Sequence, residues 1–383
     1  MQVLMREDFD TLIEKLQGAD YEVIAPRIRE GAIVLDTVDS AGDLPAGWTD
    51  EQEGGRYTLH RTDSPSLFHY TVGPTSLKSF LYPSRSLLCR VHGGHNDFDV
   101  EEPEIEAPRR AFVGVRACEL HAMAIQDHVF AGGRHPDPVY TARRNNIFLV
   151  AVNCSKAGNT CFCASMGTGP EATAHYDLVL TEVVEDGTHY FLIDAGTKAG
   201  RSMLDELPLR PARAAEEEAG AAVVRNAAGS MGRSLDTEGI EDVFFENLEN
   251  PLWQEVAERC LTCSNCTMAC PTCFCSTVED VSTIDNDMAE RWRVWDSCFT
   301  TNFSYVFGGA IRKASSSRYR HWITHKLAAW QEQFGTPGCV GCGRCITWCP
   351  VGIDITEEAA VLRRQKETRQ GEARYGAGTR TAY

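Results

Sequence analysis

The sequence predicts an α/β N-terminal domain followed by an α-helical, ferredoxin-like domain holding two [4Fe–4S] clusters. Three observations predict it. Continuous apolar runs, Ala111–Val115 and Asn146–Val152, each lead into a polar turn, as buried and parallel strands do. From Arg201 to Asp236 the composition shifts to Ala, Glu, Arg and Gly and strand patterning stops. Beyond that break come two cysteine runs of identical spacing, Cys260-x2-Cys263-x2-Cys266-x3-Cys270-Pro271 and Cys339-x2-Cys342-x2-Cys345-x3-Cys349-Pro350. The expected units are residues 1–235, residues 236–360 and a tail over 361–383. In that tail Arg363, Arg364, Lys366, Arg369, Arg374 and Arg380 face only Glu367 and Glu372, and disorder is the expectation.

The elements follow in order. MQVLMREDFDTLIEKLQ reads as an amphipathic helix, with Arg6, Glu7 and Asp8 where a secretory leader would be apolar. Tyr21–Ile24, Ala32–Val38 and Arg56–His60 are short β-rich runs between Gly and Pro. Ala111–Val115 is a strand followed by a helix beginning near Glu119, and Asn146–Val152 repeats the pattern. Asp177–Val184 and Thr188–Asp194, joined by Glu185-Asp186-Gly187, read as a hairpin. Asn250-Pro251 caps and opens a helix over Leu252–Arg259. The segment between the cysteine runs is too long for a compact β-hairpin ferredoxin. Within it Ser317–Phe334 sets Tyr319, Trp322, Ile323, Leu327 and Trp330 at helical spacing, and both tryptophans are assigned to the core.

The two runs supply eight thiolates, enough for two cubanes. Three cysteines on a tight turn hold three irons of one cluster, and the fourth, carried off by an emerging helix, ligates the other. Cys260, Cys263, Cys266 and Cys349 are therefore paired on one cluster, and Cys339, Cys342, Cys345 and Cys270 on the second. A zinc ribbon would stop at four ligands in two C-x2-C knuckles, whereas both copies here carry a third cysteine and a Cys-Pro terminator. Sixteen cysteines in a chain with no evident leader point to a reducing, cytoplasmic setting rather than to disulfides.

Composition narrows the partners. A formal net charge of −17 opposes nucleic-acid binding, and no apolar run approaches the roughly 20 residues of a membrane span. Neither G-x-G-x-x-G nor G-x4-G-K-[ST] occurs, so no nucleotide site is visible. No Ser/His/Asp arrangement stands out. His92 and His95 could bind a metal, but a lone pair of histidines around Gly93-Gly94 reads as loop residues.

Eight further cysteines remain. Cys118 and Cys154 each follow a strand end, and Cys161 and Cys163 lie in the Gly-rich loop after Cys154. Ligands of open α/β sheets collect beyond the carboxyl ends of strands, and a third [4Fe–4S] cluster on Cys118, Cys154, Cys161 and Cys163 is the expectation, with buried free thiols as the alternative. Thr-Cys-Phe-Cys recurs at Thr272–Cys275. Cys273, Cys275 and Cys298 share that extra site or hold another, while Cys89 reads as a core thiol.

Phe112-Val-Gly-Val-Arg-Ala-Cys118-Glu, the segment from Asn153 to Gly169, and Cys260 through Asp354 resemble the β subunit of sulfhydrogenases, the cytoplasmic NAD(P)-linked [NiFe] hydrogenases. The dicluster segment is also similar to that of the iron–sulfur component of anaerobic sulfite reductases. The resemblance implies an electron relay that links the cluster-bearing small subunit of a [NiFe] hydrogenase to a flavin- and NAD(P)-binding subunit. The equivalent relay of a sulfite reductase, and a self-contained reductase with a substrate-binding cluster, are the alternatives.

Overall fold

The computed structural model describes residues 1–94, 97–185, 187–284 and 288–378, with side chains as far as Thr368. Its strands among the described residues, in chain order, are β1 (Gln2–Met5), β2 (Glu22–Arg29), β3 (Ala32–Thr37), β4 (Trp48–Glu53), β5 (Arg56–Arg61), β6 (Arg85–Gly94), β7 (Asp97–Glu101), β8 (Arg110–Val115), β9 (Ile147–Val152), β10 (Leu178–Glu185), β11 (Thr188–Ala195), β12 (Arg210–Pro211), β13 (Ser276–Ser282), β14 (Met288–Trp295), β15 (Tyr305–Val306) and β16 (Gly309–Ala310).

Among the described residues the largest sheet has eight strands in the order β12-β1-β11-β10-β9-β8-β2-β3. Its centre, β2-β8-β9-β10, is parallel, and β10 and β11 form the expected antiparallel hairpin, whose Asp186 lies outside the described residues. The two central parallel strands are apolar from Ala111 to Val115 and from Ile147 to Val152 because both faces are covered. Val23, Ala111, Val113 and Val150 pack into one core with Leu4, Phe9 and Phe191. Alternate residues Ile24, Phe112, Leu149 and Ala151 pack into another with Leu120 and Met123 of the helix Ala117–Phe130. Each of the larger side chains (Val, Ile, Leu, Phe, Met) contributes about 1.5–3 kcal/mol when fully buried.

Three differences from the sequence reading have physical causes. The N-terminal residues are not helical from the start: Val3 and Leu4 are buried in β1, and the helix begins at Phe9. The second half is not purely helical. β13 and β14, rich in Val, Thr and Trp, form a hairpin as those residues favour, and β14 pairs with β6 of the first half. The resulting sheet, β13-β14-β6-β7, joins residues on either side of position 235. Finally, residues 361–378 of the expected tail continue the helix Ile355–Gly378, and 379–383 lie outside the described residues. Arg363 pairs with Asp236 at 3.2 Å and Lys366 with Glu246 at 3.1 Å, which anchors the first two turns of that segment.

The aromatic helix runs over Ser315–Thr324, loosens to a π turn at His325–Ala329, and resumes over Trp330–Phe334. Trp322 and Trp330 are core residues, as expected. The helix Leu252–Arg259 begins where Leu252 N–H donates to Asn250 Oδ1 at 2.9 Å. Among the described residues no helix is long and apolar enough to cross a membrane.

Candidate metal centre

The two cysteine runs fold as two copies of one turn. In each, the second and fourth residues after the first cysteine adopt left-handed backbone: Thr262 (φ 50°) and Ser264 (φ 69°) in one, Gly341 (φ 61°) and Gly343 (φ 77°) in the other. A short helix follows each, Asn265–Met268 or Arg344–Thr347, and the Cys-Pro pair comes after it. Such turns point backbone N–H groups inward, a concavity suited to anions. Gly341 N–H lies 3.4 Å from Cys339 Sγ and Ile353 N–H 3.4 Å from Cys349 Sγ, and Thr262 N–H donates likewise to Cys260.

The thiols sort across the two runs rather than within them. Cys266 has Cys260, Cys349 and Cys263 as its first electrostatic neighbours, and Cys260 has Cys349 and Cys263. Cys345 instead faces Cys339, Cys270 and Cys342. Burial pushes Cys266 and Cys345 up and Cys339 up to about 12. Thiols this costly to ionise become thiolates when a cation shares their site. Phe299, Tyr319 and Trp322 line the first group, while Cys263 itself is exposed.

Two buried lysines attend Cys270. Lys326, on the π turn, donates to Cys270 Sγ at 3.1 Å, to Thr272 Oγ1 at 2.8 Å and to Gly338 O at 3.2 Å. Burial opposes its charge, but the thiolates of Cys270, Cys273 and Cys339 raise its pKa well above the usual value. Lys78 donates to Thr267 O at 3.3 Å and Met268 O at 3.0 Å, and sits 4.1 Å over the Trp295 ring. A hydrogen bond with Cys273, against burial and with help from Lys326, holds Cys270 well below the ordinary thiol range; Cys273 is raised in return. A similar bond joins Cys275 and Cys298 and brings Cys275 to about 7.

The four cysteines of the first half also gather. Cys118 opens the helix after β8 and Cys154 follows β9, the neighbouring parallel strand. Cys163 has Cys154, Cys161 and Cys342 as electrostatic neighbours, and Cys118 has Cys342 and Cys163. Burial raises all four, Cys161 to about 12. This loop is stitched to the second cysteine turn: Phe162 N–H donates to Gly341 O at 2.8 Å, Thr168 Oγ1 to Val340 O at 2.7 Å, and Thr160 Oγ1 lies 2.8 Å from Thr347 Oγ1. A Cβ on Gly341 would stand 2.7 Å from Cys163 Cα, so only glycine lets the two turns touch.

Between the two groups lies a buried ion pair, Arg344 to Glu119 at 2.6 Å. Arg344 also donates to Gly73 O at 2.7 Å and Thr75 O at 3.0 Å, which offsets its desolvation. Arg116 anchors the other side on the carbonyls of Phe68 (2.7 Å), Tyr70 (2.9 Å) and Asn153 (3.2 Å) and hydrogen-bonds Cys154. The sequence reading missed these cations. Lys326 had a visible signal, since it sits at i+4 from Trp322 and i−4 from Trp330 on an apolar face, where a charge needs a partner.

Other expected residues lie apart. Cys89 is half-exposed on β6 rather than in a core. His92 contacts Glu101 at 3.0 Å, and His95 lies outside the described residues. Among the described residues no three ligating side chains close on a single ion. A cubane asks for a wider arrangement, because each thiolate holds its own iron at a separate corner.

Residues 259–353 match the 4Fe-4S dicluster domain family, which carries two [4Fe–4S] clusters. No solved structure matches the chain. Sulfhydrogenase 2 subunit beta of Pyrococcus furiosus is 33% identical over 252 residues, spanning 63% of this chain and 70% of that protein. With its doubled cysteine turn and that extent of likeness, the chain belongs to the sulfhydrogenase β-subunit family and is an iron–sulfur electron-transfer subunit.

Proposed function

We propose that the chain relays single electrons in the cytoplasm, linking the cluster-bearing small subunit of a [NiFe] hydrogenase module to a flavin- and NAD(P)-binding subunit. Its ligand sets are Cys260, Cys263, Cys266 and Cys349 for one cluster, Cys339, Cys342, Cys345 and Cys270 for the second, and Cys118, Cys154, Cys161 and Cys163 for a third. The observation that carries the reading is the position of Cys270 among the thiols of the opposite turn, next to Cys345, Cys339 and Cys342.

The clusters supply reversible one-electron transfer. The chain's own residues fix what that transfer costs. Backbone N–H groups at Thr262, Gly341 and Ile353 point at the thiolates, Lys326 adds a positive charge at Cys270, and Phe299, Tyr319 and Trp322 keep water away. Hydrogen bonds and low dielectric of this kind set cluster potentials. The third group touches the second through Cys342, so the three sets form one continuous path. It runs from the buried loop at Cys161 and Cys163 to the exposed Cys263.

Anaerobic purification with its partners tests the assignment. Co-elution of a flavoprotein and [NiFe] subunits is expected; a sirohaem protein in their place would assign the relay to sulfite reduction. Within the chain, Cys270→Ser is expected to damage the cluster of Cys339, Cys342 and Cys345. Loss of the Cys260 cluster instead would overturn the crossed ligand sets.

A further inference from the structure

Cys275 and Cys298 belong to none of these ligand sets, yet the fold brings them together. Ser276 pairs with Trp295 at the base of the β13–β14 hairpin, and Asp296 N–H donates to Cys275 O at 2.9 Å. Cys298 therefore returns beside Cys275. Their thiols share a hydrogen bond, and Cys298 N–H donates to the Cys275 sulfur as well. Both pack in the hydrophobic cluster that surrounds the dicluster turns, with Cys298 buried and Cys275 half-exposed.

The pair is also tied to both cysteine turns. Thr267 Oγ1, next to Cys266, lies 2.8 Å from Ser297 Oγ, next to Cys298. On the other side Lys326, bonded to Cys270, is an electrostatic neighbour of both thiols. A fourth cubane is not matched by the donors here. Of the other cysteines outside the three sets, Cys89 lies on β6 and Cys273 is engaged by Cys270.

We propose that Cys275 and Cys298 are a dithiol/disulfide couple that exchanges two electrons with the two clusters of the dicluster domain. The inference rests on the relay reading above and adds a two-electron site to it. In the closing direction the Cys275–Cys298 S–S bond would form, two S–H protons would leave to solvent, and the two electrons released by the thiols would pass singly to the oxidised clusters that the dicluster turns would hold. In the opening direction the S–S bond would accept two electrons, one from each reduced cluster, and break as two protons returned to the thiols. No further reactant is needed. Such a couple lets a chain of one-electron carriers meet a partner that gives or takes electrons in pairs. The Cys275 and Cys298 thiols are in hydrogen-bond contact, the proximity a disulfide requires, and a thiolate near a lysine is the form that reacts.

The test uses the anaerobic holoprotein poised in mixtures of reduced and oxidised dithiothreitol, acid-quenched, unfolded, alkylated and mapped by peptide mass spectrometry. The expected result is a Cys275–Cys298 linked peptide at oxidising poise and two alkylated thiols at reducing poise, with iron and sulfide content constant. Cys298→Ser is expected to abolish the linked peptide and keep the visible spectrum of the clusters. Thiols alkylated at every poise would overturn the proposal, as would protection of Cys275 and Cys298 that disappears only when iron is chelated out. Cys275→Ser serves if the first variant does not fold. Failure here with intact, reducible clusters leaves the relay standing, whereas loss of the clusters from the wild-type chain would sink the relay itself.

Discussion

Replacing Lys326 by Met keeps the length and apolar stem of the side chain and removes one buried positive charge. Its Nζ lies 3.1 Å from Cys270 Sγ. A unit charge at that distance in an effective dielectric of about 20 interacts by roughly 5 kcal/mol. An electron entering a cubane spreads over its irons and sulfurs, so about a third to a half of that interaction, on the order of 2 kcal/mol, bears on reduction. At about 59 mV per tenfold change for one electron, the cluster held by Cys270 is expected to become harder to reduce by roughly 60 to 120 mV. The cluster of Cys260, Cys263, Cys266 and Cys349 should move far less. Redox titration followed by electron paramagnetic resonance separates the two. An unshifted pair of potentials in a variant with full iron content would refute the electrostatic role of Lys326. A larger shift at the Cys260 cluster would refute the placement of Cys270.

Three further outcomes follow from the geometry. Changing Cys161 and Cys163 together to Ser is expected to remove about four irons per chain while nearly preserving the spectra of the other two clusters; unchanged iron content would leave these thiols as ordinary buried cysteines. Gly341→Ala places a Cβ against Cys163 Cα at a position with φ 61°, and should lower the thermal midpoint and loosen the Cys161–Cys163 loop by about 1–3 kcal/mol, whereas Ser264→Gly in the equivalent exposed turn should be neutral or stabilising by calorimetry. His325, stacked 5.8 Å from His321 and depressed by burial to about 4, binds a proton more readily in the unfolded chain. Its contribution to stability is therefore present above pH 6.5 and is lost as pH falls toward 4, and His325→Leu should flatten the wild-type pH dependence of denaturant midpoints over that window.

The ligand turns and the central strands were legible because their signals are local. The spacing of Cys260 to Cys270 and of Cys339 to Cys349 is a covalent requirement of the turn, and Ala111–Val115 and Ile147–Val152 are apolar on both faces because helices cover both sides of the sheet. What escaped the sequence is non-local. Nothing near Arg344 says that Glu119, far away along the chain, will neutralise it. Likewise the polar β13 shows no inward face, since all of its residues are exposed; β14 alone binds it to the fold. The first residues misled because a strand of four residues is too short for its alternation to outweigh the helical periodicity that follows. At the start of the tail Arg363 and Lys366 look unpaired in sequence until Asp236 and Glu246 are brought beside them.

The sheet shared by the two halves sets a timetable for synthesis. β6 leaves the ribosome long before β14, and the pair Arg90–Glu290 that joins them spans 200 residues of chain. Until that distance has been translated, β6 and β7 have only one another, and a lone two-stranded hairpin is marginal in water. Its open edge is a template for other strands. The nascent protein thus passes through a stage in which the metal-ligating turns are absent or unclamped while an adhesive strand is exposed. Cofactor loading and protection from aggregation become one problem of biogenesis. Expression with slow translation or scarce iron is the condition in which this architecture is most vulnerable.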